Sequence, residues 1–218
     1  MENQKYIPAL GYNFLTAYYD LAIKITMPEK RFRRLLIEEN NPKHHEHILE
    51  FGFGTGQNLL LMHQENPKVK LEGLDIDPKV KAIAEYKLAK NGIEIPLHLY
   101  DGNKLPFPDN AFDKAYSCLV FHQLDTETKL KCLNELNRVL KPNGELIIAD
   151  WGKAQNKLMR FTFGLVQLLD GFKNTNDNVK GLMPDFISKA GFQNVIITQS
   201  INTAIGTFSY FKANKISQ

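Results

Sequence analysis

A strand-like run, "ILEF", leads into "GFGTG", and a helix-like run, "QNLLLMHQEN", leads out, crowding Gly52, Gly54 and Gly56 into the junction. Glycine tolerates positive φ and lets another group approach the backbone closely. Three of them between strand and helix predict a tight loop that a ligand touches, with the amides and positive dipole end of the next helix aimed at it. Such loops belong to open α/β sheets, where ligands bind at the carboxyl edge of the strands near the switch in strand order. A carboxylate or phosphate suits the loop. The spacing is Gly-x-Gly-x-Gly, with Gln57 where a dinucleotide fingerprint has its third glycine. No Gly-Lys-Ser/Thr follows, which excludes a nucleoside-triphosphate loop.

The rest of the chain alternates helical and strand signals, the pattern of an α/β domain with a mostly parallel sheet. Before the loop, "NFLTAYYDLAIKI" reads as one helix, and a second opens at "TMPE", where Thr26 and Glu29 have capping-box spacing. "HILEF", "KLEGLD", "PLHLYD", "KAYSCLVF" and "ELIIADW" read as strands one to five. "DPKVKAIAEYKLAKNG" is a helix with Asp77 as N-cap, Pro78 at its start and Asn91-Gly92 as its stop. "TETKLKCLNELNRVL" puts Leu130, Leu133, Leu136 and Leu140 along one face, and "KPNG" ends it. A closing helix, "VKGLMPDFISKAGF", precedes strands "NVIITQS" and "TAIGTFSYFKA". Their link is too short for a parallel crossover, so they pair antiparallel and give the sheet an antiparallel edge.

At 218 residues, 43% of them hydrophobic and 23% charged, the chain suits one domain with a sizeable core. Net charge is +3, and the densest basic run, "EKRFRR", reads as a solvated helix face rather than a nucleic-acid footprint. Cys118 and Cys132 have neither zinc spacing nor a disulfide pattern. No apolar run reaches the ~20 residues of a membrane span, and "MENQKYIPAL" lacks a signal-peptide pattern. The expectation is a cytoplasmic protein without a transmembrane segment or a nucleic-acid partner. His44, His45 and His47 lie on a loop without carboxylate spacing and are read as solvent-facing, so no metal site is expected.

Carboxylates mark three strand ends. Glu50 stands in an otherwise apolar strand, either as a partner for loop amides or as an acid facing the cationic end of a ligand. Asp77 has its role as N-cap, but Asp75 does not. It sits about 20 residues past the glycines, where an acid takes ribose hydroxyls. Asp101, before Gly102, either makes a turn or accepts from an exocyclic adenine amine. Together they suggest an adenosine-like ligand with an amino-acid tail.

"ILEFGFGTG", "GLDIDP", "YDGNKLPFPDNAFD" and "VLKPNGELIIADW" resemble the successive motifs of class I S-adenosylmethionine-dependent methyltransferases. The resemblance is nearest to the group around the ubiquinone/menaquinone-biosynthesis and phosphatidylethanolamine N-methyltransferases. It is strong from Ile48 to Trp151, looser beyond, and silent on the methyl acceptor. It implies a Rossmann-like, seven-stranded, mostly parallel sheet with an antiparallel last strand, helices on both faces and an N-terminal helical lid. Residues 1–218 would form one methyltransferase domain: N-terminal helices over 1–46, a cofactor core over 47–151, a lid-like insert over 152–180 and closing elements over 181–218.

By matching position, the resemblance implies that Glu50, Gly52, Gly54, Gly56 and Cys118 line the methionine end of S-adenosylmethionine. Asp75 would hold the ribose, Ile76 would pack on adenine, and Asp101 with the Gly102 amide would take the adenine edge. It also suggests that Tyr12, Tyr18 and Tyr19, in a "YYD" stretch, lie over the cofactor, with helix core as the other reading. His122, after strand four, is a candidate base, although relatives often have His-His where this chain has His-Gln; a helix-start histidine is the plainer reading. The insert "WGKAQNKLMRFTFGLVQLLDGFKN" is either a helix capping the sheet or a lid over an apolar small-molecule acceptor. Other functions remain open: a non-catalytic cofactor-binding protein, and a nicotinamide oxidoreductase, which Gln57 and the Asp101 loop disfavour.

Overall fold

The computed structural model describes residues 28–203 and 206–217. The N-terminal stretch carrying Tyr12, Tyr18, Tyr19 and Thr26 lies outside them. The described chain opens with α1 (Glu29–Asn40), which starts after Pro28 without a side-chain cap. Then come β1 (His47–Phe51), α2 (Gln57–Glu65), β2 (Lys70–Asp75), α3 (Pro78–Lys90) and β3 (Leu97–Leu99). β4 (Phe112–Cys118) runs into a 3₁₀ turn, Phe121–Gln123, followed by α4 (Thr126–Val139) and β5 (Leu140–Gly152). The insert forms α5 (Lys157–Asp170) and α6 (Phe172–Lys180), and α7 (Met183–Lys189), β6 (Phe192–Thr203) and β7 (Gly206–Lys215) close the chain.

The sheet order is β3-β2-β1-β4-β5-β7-β6. β1 to β5 pair parallel, and β7 is antiparallel to both β5 and β6. The last two strands pair antiparallel, as their short link suggested. β7 inserts between β5 and β6, and β6 becomes the edge. Order reverses between β1 and β4, so the loops after these strands flank the crevice in which α/β sheets bind ligands.

Side-chain alternation sends β1 to two faces. Ile48 joins Phe32, Leu36, Leu59, Met62 and Phe208 under α1, α2 and α3, whereas Leu49 and Phe51 join Leu133, Leu136 and Ile187 under α4 and α7. α1 is pinned across the sheet by Tyr210, whose hydroxyl donates to the Phe32 carbonyl at 2.7 Å, and by Phe32 against Phe208, with ring centroids 5.3 Å apart.

Local signals hold for α3. Asp77 accepts from the Lys79 amide at 2.8 Å, Pro78 opens the helix and Gly92 ends it with φ 69°. They hold less well elsewhere. Leu140 is the first residue of β5, not the last of its helix. β4 stops at Cys118, so Val120 and Phe121 leave the strand. Val179 and Lys180 end α6, and Gly181 (φ 76°) separates them from α7.

The insert packs on the sheet through Phe163, one of the two phenylalanines of α5. Phe163 is buried against Trp151, with centroids 5.5 Å apart, whereas Phe161 is 81% exposed. α6 is latched to α4 by Lys129, whose ammonium donates to the Asn174 carbonyl at 2.7 Å and pairs with Asp177 at 3.2 Å. Asn178 donates to the Trp151 carbonyl at 2.7 Å.

Candidate active site

The glycine loop turns at the mouth of β1. Gly52, Gly54 and Gly56 all have positive φ, at 77°, 51° and 71°. Two of them are closed by neighbours: a Cβ at Gly52 would overlap Val120, and one at Gly56 would come within 2.9 Å of Ala84. At Gly54 nothing among the described residues lies within 4 Å of such a Cβ, so they leave the loop open at its middle glycine. α2 begins directly after Gly56 with no side-chain cap, which leaves its first amides available to an anionic group.

Asp75 clamps this loop from β2. Its Oδ2 accepts the Gly54 amide at 2.8 Å, and its Oδ1 accepts the Ile76 and Asp77 amides at 2.7 and 3.0 Å. Burial pushes its carboxyl up, against the pull of those amides. Ile76 is 42% exposed, and a Cβ at Gly102 would lie 3.8 Å from its Cδ1, so the two edge one slot above β2 and β3. Asp101 is exposed and accepts from the Asn103 amide at 2.9 Å and side chain at 3.0 Å, which hold its carboxyl below the usual range. That is the turn-forming geometry.

Glu50 is fully buried. Asn58 donates to its Oε1 at 2.8 Å and Tyr116 to its Oε2 at 3.1 Å. Arg33 reaches the other side of Asn58, so a cation stands behind the amide without touching the carboxyl. Burial pushes Glu50 up to about 8. Its hydrogen bonds among the described residues come from side chains of α2 and β4 rather than from loop amides. Cys118 is half-buried at the end of β4, and burial pushes its thiol up.

After Cys118, Leu119 takes φ 60°, a strained conformation for a bulky residue and one that gathers at functional sites. It delivers Val120 against Gly52 and starts the turn that carries His122. There His122 Nδ1 meets Asp150 Oδ1 at 2.7 Å, and the His122 amide donates to Asp150 Oδ2 at 3.1 Å. His122 is 1% exposed and Asp150 0%, so the histidine of this turn is buried against the carboxylate. Asp150 escaped the sequence reading, although a carboxylate ending the apolar run "ELIIA" is the signal that marked Glu50.

The structure gathers Glu50, the three glycines, Asp75, Ile76, Gly102, Cys118 and His122 at the carboxyl edge of the sheet. Tyr19 lies outside the described residues. The histidine trio is split: His44 and His45 are exposed, but His47, as the first residue of β1, turns inward to bond Glu72 at 2.7 Å and stack on Phe112. Among the described residues no group of three or more His, Cys, Asp or Glu could hold a metal ion, and no helix is long and apolar enough to cross a membrane.

A glycine loop at the switch point, acids closing β1 and β2 and a reversed β7 between β5 and β6 define the class I methyltransferase fold. Residues 48–144 match the model of the methyltransferase-domain family. The chain is 33% identical over 136 residues to the demethylmenaquinone methyltransferase of Thermus thermophilus, covering 61% of this chain and 60% of that one. It is 30% identical over 141 residues to a ubiquinone/menaquinone biosynthesis C-methyltransferase of Desulfotalea psychrophila, covering 64% and 56%. The chain thus spans less than two thirds of these relatives' length. A SAM-dependent methyltransferase of Aquifex aeolicus shares the fold at TM-score 0.65 and 23% identity, over 88% of this chain and 96% of that one.

Proposed function

We propose that the chain is an S-adenosylmethionine-dependent methyltransferase acting on a small-molecule acceptor. The observation that carries this reading is the loop open at Gly54 and clamped by Asp75, beside an uncapped helix start. The amino-acid carboxylate of the cofactor would take the first amides of α2, and Asp75 would accept from the ribose. Adenine would enter the slot between Ile76 and Gly102, with Asp101 at its edge. The sulfonium end would lie toward Glu50, Cys118 and His122, with Tyr19 a proposed aromatic partner, worth on the order of 1 kcal/mol.

When bound, S-adenosylmethionine supplies an already activated methyl electrophile. The chain's own task is to hold the acceptor atom in line, and such positioning is worth roughly 7–11 kcal/mol. A lipophilic acceptor fits the exposed Phe161 at the outer side of α5. The test is a thermal-shift panel of S-adenosylmethionine, S-adenosylhomocysteine and NAD. A ligand at 100 times its Kd stabilises by about 2.7 kcal/mol, a shift of roughly 5–10 °C for a domain of this size. A shift with the two adenosyl ligands alone is expected. A shift with NAD alone, or none, would overturn the reading.

A further inference from the structure

We propose that Asn103 is a positioning residue: held by Lys131 of α4, it aims the Asp101 carboxylate at the exocyclic amine of the bound purine, so that the site prefers a 6-amino to a 6-oxo purine. This rests on the methyltransferase reading. The Asn103 amide donates to Asp101 Oδ1 at 2.9 Å and its side-chain nitrogen to Oδ2 at 3.0 Å, while Lys131 Nζ donates to Asn103 Oδ1 at 3.1 Å. Lysine only donates and an ionised carboxylate only accepts. The carboxamide between them is therefore oriented one way, oxygen to Lys131 and nitrogen to Asp101.

Asp101 remains able to take a ligand. It is exposed, and each of its oxygens has a further lone-pair site beyond the bond to Asn103. The side-chain bond from Asn103 and then its amide hold the carboxyl below the usual range, with Lys131 adding to the pull, so the group is an acceptor at neutral pH. Gly102, the next residue, turns with φ 83° and edges the slot beside Ile76. The carboxylate thus stands one residue from the place assigned to adenine.

The anchor is a helix face rather than a single lysine. Lys131, Glu135 and Arg138 lie at i, i+4 and i+7 of α4, on one side of the helix. Glu135 Oε2 accepts the Leu105 amide at 2.8 Å. Arg138 donates to the carbonyls of Leu105 at 3.0 Å and Phe107 at 2.9 Å, and to Asp109 at 2.7 Å. Leu105 and Phe107 bury their side chains in the core beneath. The loop from 103 to 109 is therefore fixed to α4 at every second residue, and Asp101 is the acceptor just beyond the fixed part. One exposed bond holds little by itself; the splinted loop gives the relay its direction.

Calorimetry with S-adenosylhomocysteine and with S-inosylhomocysteine, its 6-oxo analogue, tests this. The wild type should bind the adenosyl ligand about tenfold more tightly or better. In Asn103→Ala the preference should shrink to about threefold or less, through weaker adenosyl binding alone. Lys131→Met, at an exposed position, should shrink it in the same direction. Asp101→Ala should abolish the preference, and adding Asn103→Ala to it should change nothing further, because the two residues act as a unit. Equal loss for both ligands in Asn103→Ala would reduce the residue to loop scaffold and overturn the proposal. So would an unchanged preference, or additive losses in the double variant. A wild type that binds both ligands equally would remove this proposal alone, whereas one that binds neither would remove the methyltransferase reading itself.

Discussion

Glu50 on β1 and Tyr116 on β4 are register partners across the switch point, and the tyrosine hydroxyl donates to the carboxyl at 3.1 Å. With Asn58 on the other oxygen, the acid is satisfied but has no cation in contact among the described residues. Charge there is costly, and its proton is held up to about 8. The folded state therefore keeps a proton that the unfolded chain releases above its ordinary value of 4.5. The unfolded state binds fewer protons in that window, so stability falls as pH rises from about 4.5 to about 8, on the order of a few kcal/mol. Glu50→Gln should remove this slope and gain on the wild type in Tm toward pH 9. Parallel Tm curves for the two proteins would show that Glu50 titrates normally.

A cationic ligand beside Glu50 would favour its ionised form. Binding of S-adenosylmethionine below pH 8 should then release protons. Calorimetry in two buffers of different ionisation enthalpy reads the release, and equal heats in both would exclude it.

Gly54 and Gly52 make a contrasting pair. Gly54→Ala meets no atom of the described residues but keeps a left-handed φ, a cost of about 1–2 kcal/mol. The protein should fold with a modestly lower Tm and lose binding of S-adenosylhomocysteine. Gly52→Ala meets Val120 as well and should unfold at clearly lower temperature. Intact ligand binding in Gly54→Ala would mean that the opening faces solvent only.

Asp75→Asn keeps one acceptor of the clamp and loses the charge. Affinity for S-adenosylhomocysteine should drop roughly 10- to 100-fold, read by calorimetry. An unchanged Kd would reduce Asp75 to a loop anchor.

The two insert phenylalanines separate packing from acceptor contact. Phe163→Asp places a charge against Trp151 and should destabilise the fold strongly. Phe161→Asp, on the exposed side, should leave Tm within the small range of surface changes and lower turnover of an apolar acceptor about tenfold. Unchanged turnover would exclude Phe161 from the acceptor path.

Short-range physics made much of this chain legible. The glycine triplet needs positive φ at each position, and it has it. Asp77, Pro78 and Gly92 bound α3 because caps and stops act within a turn. The strand-end acids were visible because a carboxylate in an apolar run is costly unless something receives it. What receives it was not visible. Glu50 bonds Tyr116, 66 positions away, and Asp150 holds His122 from 28 positions away, pairings set by sheet register. Phe161 and Phe163 are alike in sequence, and only the placement of Trp151 and β7 makes one core and the other surface. The position of β7 inside the sheet was hidden in the same way: a short link dictates antiparallel pairing but not which of the two strands meets β5. Sequence alone determined the local backbone, the α/β class and the presence of a ligand loop, since these follow from φ preferences and periodicity. The partners of the buried acids, the strand order and the exposed face of the insert were decided by tertiary structure, because they depend on contacts between residues far apart along the chain.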